Sequence, residues 1–155
     1  MTDRYIRSAG GNTSPFTSWA NAATTVSGAL GVDAAGDRMF VRNDHAEDTA
    51  SPTWNFDGTI ASPSVLIGVS DSNAPATTPA TGATVDTTTT TTLTINGSVW
   101  IGYMQLRAGA SGGNNATVLL GNTSGTNSIW QRYVNCTIGL RGSGTAGRVE
   151  IGNNA

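Results

Sequence analysis

The sequence predicts an all-β solenoid of stacked coils, with a single helix near its amino end. Three observations carry that prediction. The chain has 155 residues, of which 12% are charged and 37% hydrophobic, with 20 Gly and abundant Thr, Asn, Ser and Ala. Average chains carry about 25% charge, so this profile belongs to short strands and tight turns. The stretch Ser98–Leu106 (SVWIGYMQL) returns as Ser128–Cys136 (SIWQRYVNC), each reading Ser, branched aliphatic, Trp, two variable residues, Tyr, apolar. Finally, an apolar-x-apolar strand ends in a Gly/Asn corner three times: Leu93–Gly97, Val118–Asn122 and Val149–Asn153. Strands and corners alone, repeating every 25 to 31 residues, specify a stack in which like residues sit above like. Trp100 is then expected beside Trp130 and Tyr103 beside Tyr133, each aromatic pair adding about 0.5–1.5 kcal/mol.

In chain order, residues 1–16 read as an irregular arm, with turn signals at Gly10-Gly11-Asn12 and Ser14-Pro15. Residues 17–155 form the stacked domain. From a cap at Thr17 or Ser18, apolar Trp19, Ala22, Ala23, Val26, Ala29 and Leu30 recur at three- and four-residue spacing up to Gly31, which predicts a helix over 17–30. Coils begin at about residue 38 with a strand over Arg38–Arg42. Further strands are expected near Val65–Val69, Thr91–Ile95, Val99–Leu106, Thr117–Leu120, Ile129–Ile138 and Arg148–Ile151. Asp71–Ala83 reads as a loop, and the Thr87–Thr92 tract suits strand or linker equally. A stack needs a polar cap at each end. The helix supplies one at the amino end. Arg148–Ile151 reads as the opening strand of a further repeat with no third Trp-x-x-Tyr, so the carboxyl end is expected to be open, covered by further sequence or by another subunit.

Bulk properties exclude several partners. The net charge is −2, and eight Arg with no Lys are scattered along the chain, so no electrostatic footprint for nucleic acid is present. No apolar run approaches the roughly 18 residues of a membrane span. Met1–Arg7 has no apolar run after its charges, so synthesis in a cytoplasm is expected. A single cysteine, Cys136, excludes an internal disulfide and reads as a core thiol.

The helix, then Gly36-Asp37-Arg38-Met39-Phe40-Val41, then coils of short strands, resembles the right-handed parallel β-helix of the pectate-lyase-like superfamily. The resemblance covers most of residues 17–155. That superfamily includes polysaccharide lyases and hydrolases, tail spikes, and non-enzymatic virion proteins of tailed phages. The Thr/Ala/Gly-rich, lysine-free texture, with Tyr5-Ile6-Arg7 before Gly10-Gly11-Asn12, looks most like phage structural proteins. It implies a non-enzymatic component of a tailed-phage virion, such as a capsid decoration (cement) protein or the attachment region of a neck or tail fibre. The implied partners are capsid, neck or tail subunits and further copies of the chain, with no nucleic acid, membrane, metal or cofactor.

Candidate chemistry is sparse. Asn43–Asp48 gathers His45 among three carboxylates, but one His without a second His or Cys gives poor metal spacing, and the cluster reads as a solvated turn. The pairs Asp33 with Asp37 and Asp44 with Asp48 lie outside the expected coils, so cleavage by two opposed carboxylates is poorly supported. Gly139–Gly144 matches a phosphate loop in letters only and reads as a corner. The alternative reading is a carbohydrate-binding or polysaccharide-degrading tail-spike domain, in which Trp54, Trp100 and Trp130 stack on sugar. For Trp54, next to Phe56, burial under the first coil is expected instead.

Overall fold

A computed structural model describes residues 1–50, 52–73, 75–88, 92–109, 116–121, 128–141 and 147–151. The protein is mostly β. Its strands are β1 (Asp3–Ile6), β2 (Arg38–Arg42), β3 (Ala46–Thr49), β4 (Thr53–Asn55), β5 (Ser64–Val69), β6 (Ala83–Thr87), β7 (Leu93–Asn96), β8 (Val99–Gly102), β9 (Met104–Ala108), β10 (Thr117–Leu120), β11 (Gln131–Val134), β12 (Thr137–Leu140) and β13 (Arg148–Ile151). Among the described residues there is one short helix, α1 (Val26–Leu30), between β1 and β2.

From β2 onward the chain visits three sheets in strict rotation. The first sheet has the order β1-β2-β5-β8-β11, the second β3-β6-β9-β12 and the third β4-β7-β10-β13, and the ladders between strands are parallel. Alternation decides which residues turn inward. In β7, Leu93 and Ile95 are buried while Thr94 and Asn96 are half-buried; in β9, Met104, Leu106 and Ala108 are the buried set. Register lines these residues up in columns: Met39, Leu66, Ile101 and Tyr133 in the first sheet, and Trp54, Ile95, Leu120 and Ile151 in the third. One hydrophobic core draws on all three sheets. Each fully buried Leu or Ile contributes about 1.5–3 kcal/mol relative to exposure.

The expected aromatic stacks do not form. Trp100 pairs in register with Arg132, and Ile101 with Tyr133, so the repeat spans 32 residues here and the two Trp-x-x-Tyr stretches are offset by two. Trp130 instead lies over Ser98, its backbone N–H donating to Ser98 Oγ at 3.0 Å. A two-residue slip preserves which face each side chain takes, so alternation gives no warning of it. The equivalent residues are the corners Tyr103 and Asn135, with φ of 58° and 51°. These left-handed residues split each of the expected strands Val99–Leu106 and Ile129–Ile138 into two and turn the chain from the first sheet to the second.

The amino-terminal segment also departs from expectation. Residues 1–16 are not all irregular: β1 pairs with β2, and Tyr5 and Ile6 are buried. Asp37 anchors this strand. Its carboxylate accepts Thr2 N–H at 2.6 Å and both Nε and Nη2 of Arg4, at 3.1 and 2.8 Å. The helix covers only Val26–Leu30, capped by Thr25 Oγ1 accepting from Gly28 N–H. Residues 20–23 spend their backbone groups elsewhere: the carbonyls of Ala20, Asn21 and Ala22 accept from Gly11, Thr13 and Asn12, and Ala23 N–H donates to Tyr5. The apolar spacing had two destinations. Ala23, Val26 and Ala29 enter the main core, whereas Trp19 and Ala22 join Tyr5, Phe40, Ile67 and Ala76 in a second cluster on the outer side of the first sheet.

Candidate functional site

At the amino-terminal end, the first strand of each sheet is tied to the segment around α1. The helix packs on β1 and β4. Its first N–H, from Val26, donates to Glu47 Oε2 of β3 at 2.8 Å. His45 Nε2 lies 3.3 Å from the same oxygen, and His45 Nδ1 lies 3.2 Å from Ser8 Oγ. Of the cluster expected as a solvated turn, Asn43 and Asp44 do form a turn with Asp44 exposed, but His45 and Glu47 make a buried tie, 1% and 6% exposed. No local pattern signalled it, because apolar Ala46 is exposed while polar His45 and Glu47 turn inward. Ser8, His45 and Glu47 form a hydrogen-bonded chain with the residue types of a hydrolase triad. Ser8 Oγ, however, accepts Ala46 N–H at 3.1 Å and donates to Ala46 O at 3.0 Å, which commits the hydroxyl to fastening backbone.

Several other carboxylates are also engaged. Asp33 is buried and accepts from Asp57 N–H at 3.1 Å and Ser64 Oγ at 3.0 Å. Burial pushes its pKa up, and these hydrogen bonds pull against that shift. On the outer side of the second sheet, Arg107 grips Asp86 through two bonds of 2.8 Å, and Arg141 reaches Asp48 at 2.7 Å and Asp86 at 3.4 Å. Two cations thus answer two carboxylates. Among the described residues, no group of three or more His, Cys, Asp or Glu is placed to hold a metal. Nor is any helix there long and apolar enough to cross a membrane.

The carboxyl-terminal end is built differently. There β11, β12 and β13 are the last strands of the three sheets, and Ile151, Val149 and Trp130 are 85%, 42% and 39% exposed. A cavity of about 320 Å³ opens among Leu120, Gly121, Ile129, Gln131, Tyr133 and Ile151. Its polar atoms are fixed: Gln131 Nε2 donates to the Ile95 and Gly97 carbonyls, and Tyr133 OH donates to Gln131 Oε1 at 2.8 Å. Burial pushes the Tyr133 pKa up, so the phenol stays neutral and holds its donor. An apolar floor bordered by the edge strands β11 and β13 is suited to burying apolar surface and extending those sheets.

The three tryptophans considered for sugar stacking are not brought together. Trp54 is fully buried, edge-on to Phe56 with centroids 6.4 Å apart. Trp100 is half-buried beside the second cluster, and Trp130 is exposed near the carboxyl-terminal end. Cys136 is half-buried against the core, its thiol 3.4 Å from the Ile101 and Val134 carbonyls. Of the Gly139–Gly144 corner, Gly139 and Leu140 belong to β12, and residues 142–144 lie outside the described residues. Compared with protein-family models, curated proteins and solved structures, the chain matches none.

Proposed function

We propose that this chain is a non-enzymatic structural component of a tailed-phage virion, folded as a right-handed parallel β-helix with α1 as its amino-terminal cap. The strict rotation through three parallel sheets around a shared core supports the β-helix, and parallel crossover connections are right-handed in about 98% of cases. One observation carries the functional reading: among the described residues, the amino-terminal sheet ends are tied to the preceding loop and α1, whereas Ile151, Val149 and Trp130 at the opposite sheet edges are exposed. That asymmetry suits a rigid scaffold joined to a neighbour at one end. Its partners are capsid, neck or tail subunits, and its place is the virion.

Mass spectrometry of purified virions of the encoding phage tests this. A fixed copy number is expected, in the hundreds for a shell protein and a dozen or fewer for a neck or tail component; absence from the particle overturns the proposal. The exposed Trp130 favours a second reading, a carbohydrate-binding or polysaccharide-degrading tail-spike domain. A fall in polysaccharide viscosity on incubation would support cleavage, and an unchanged viscosity removes it.

A further inference from the structure

The carboxyl-terminal surface has features that specify its occupant. Arg132 on β11 is exposed and has no ion pair or side-chain hydrogen bond among the described residues. Glu150 on β13 receives Arg148 Nε on Oε1, and no described residue donates to its Oε2. The other arginines of this half are answered within the chain, Arg107 and Arg141 by Asp86 and Asp48. Among the described residues, each carboxyl-terminal end therefore presents one free cation on the first sheet and one free carboxylate oxygen on the third.

We infer that this end docks a second copy of the chain, carboxyl-terminal end to carboxyl-terminal end about a two-fold axis. The inference rests on the β-helix reading above. Turning one β-helix over onto another reverses the sense in which its strands circulate, so edge strands meet antiparallel. With the axis passing through β12, β12 faces its own copy and β11 faces the β13 of the other copy. An antiparallel register that sets Arg132 opposite Glu150 also sets Tyr133 opposite Val149 and Gln131 opposite Ile151. Arg132 and Glu150 then lie on the outer side, in the columns of Trp100 and Leu119, while Tyr133, Val149 and Ile151 continue the inner columns of Ile101, Val118 and Leu120. The cavity beside Gln131 and Tyr133 is closed by the partner's Ile151.

The contact is self-complementary, because Arg132 meets Glu150 twice. Head-to-tail stacking has no such match, since the strands at the amino-terminal end are tied to α1 and its flanking chain. Burial of Ile151 and Val149 supplies most of the attraction, and the two rim pairs set the register.

Sedimentation velocity across a concentration series tests this with the chain itself and three sets of variants. A monomer–dimer equilibrium is expected for the unaltered chain. Ile151→Asp should abolish the dimer. Arg132→Glu and Glu150→Arg should each weaken it by about tenfold through like-charge contact, and the double variant should restore it. Far-UV circular dichroism confirms that each variant folds, as expected for substitutions at the surface. A monomer at every concentration overturns the inference. So does a dimer indifferent to Ile151→Asp, an open polymer, or a double variant as weak as the singles. These outcomes are independent of virion incorporation: a monomeric chain found in virions sinks only the dimer, and a dimeric chain absent from virions sinks only the virion reading.

Discussion

At the amino-terminal end the first strands of all three sheets are tied down by the chain's own loop and helix. At the carboxyl-terminal end the last strands carry Val149 and Ile151 into solvent. The third sheet shows the contrast within one column, where Ile95 is 0% exposed and Ile151 is 85% exposed at equivalent positions. Residue type and facing direction are the same. What differs is whether another layer lies above.

The comparison can be broken most forcefully at the covered end. Asp37→Ala leaves Arg4 buried without its partner and frees Thr2 N–H, and is expected to cost about 3–5 kcal/mol in urea denaturation. A cost below that of an exposed ion pair would show that β1 is not anchored there. Within the sheets, Ile95→Ala should cost about 2–5 kcal/mol by the same measurement, through lost burial and the cavity left behind.

Asp33→Asn sharpens the comparison through pH. The folded-state pKa of Asp33 is raised by burial, so its contribution to stability is complete below the ordinary carboxylate pKa and is lost as pH rises through the raised value. The stability of the unaltered chain relative to Asp33→Asn should therefore fall between acid and neutral pH, read from urea midpoints at each pH. A relative stability that rises with pH would reverse the assignment. The smallest effect belongs to Ile151→Ala, expected within about 0.5 kcal/mol in the isolated monomer because the side chain is already in water. A cost like that of Ile95→Ala would mean that the carboxyl-terminal end is covered.

Much of the β architecture was legible because period-two alternation is strong where both neighbouring layers are apolar, as at Leu93–Asn96 and Thr117–Leu120. The strands β1, β3, β4 and β6 escaped notice. Their inward residues include Glu47, whose burial is decided by Val26, 21 residues away, rather than by local pattern; burial of Trp54 was expected, but the strand that carries it is set by β7, 41 residues on. Likewise Ser8, His45 and Asp37 are recruited by pairing between β1 and the following strands, which no short window contains.

The strand ladders also run in the direction of the chain. From β5 onward, every strand pairs with one that precedes it in the chain, and residues 1–55 contain the whole set β1 to β4 together with α1. Residues 1–55 thus supply the first strand of each sheet before β6 and β7, which pair on β3 and β4, are reached. Each later strand can therefore pair on an edge that earlier residues supply, so the ladders can be extended in the order in which the chain is written.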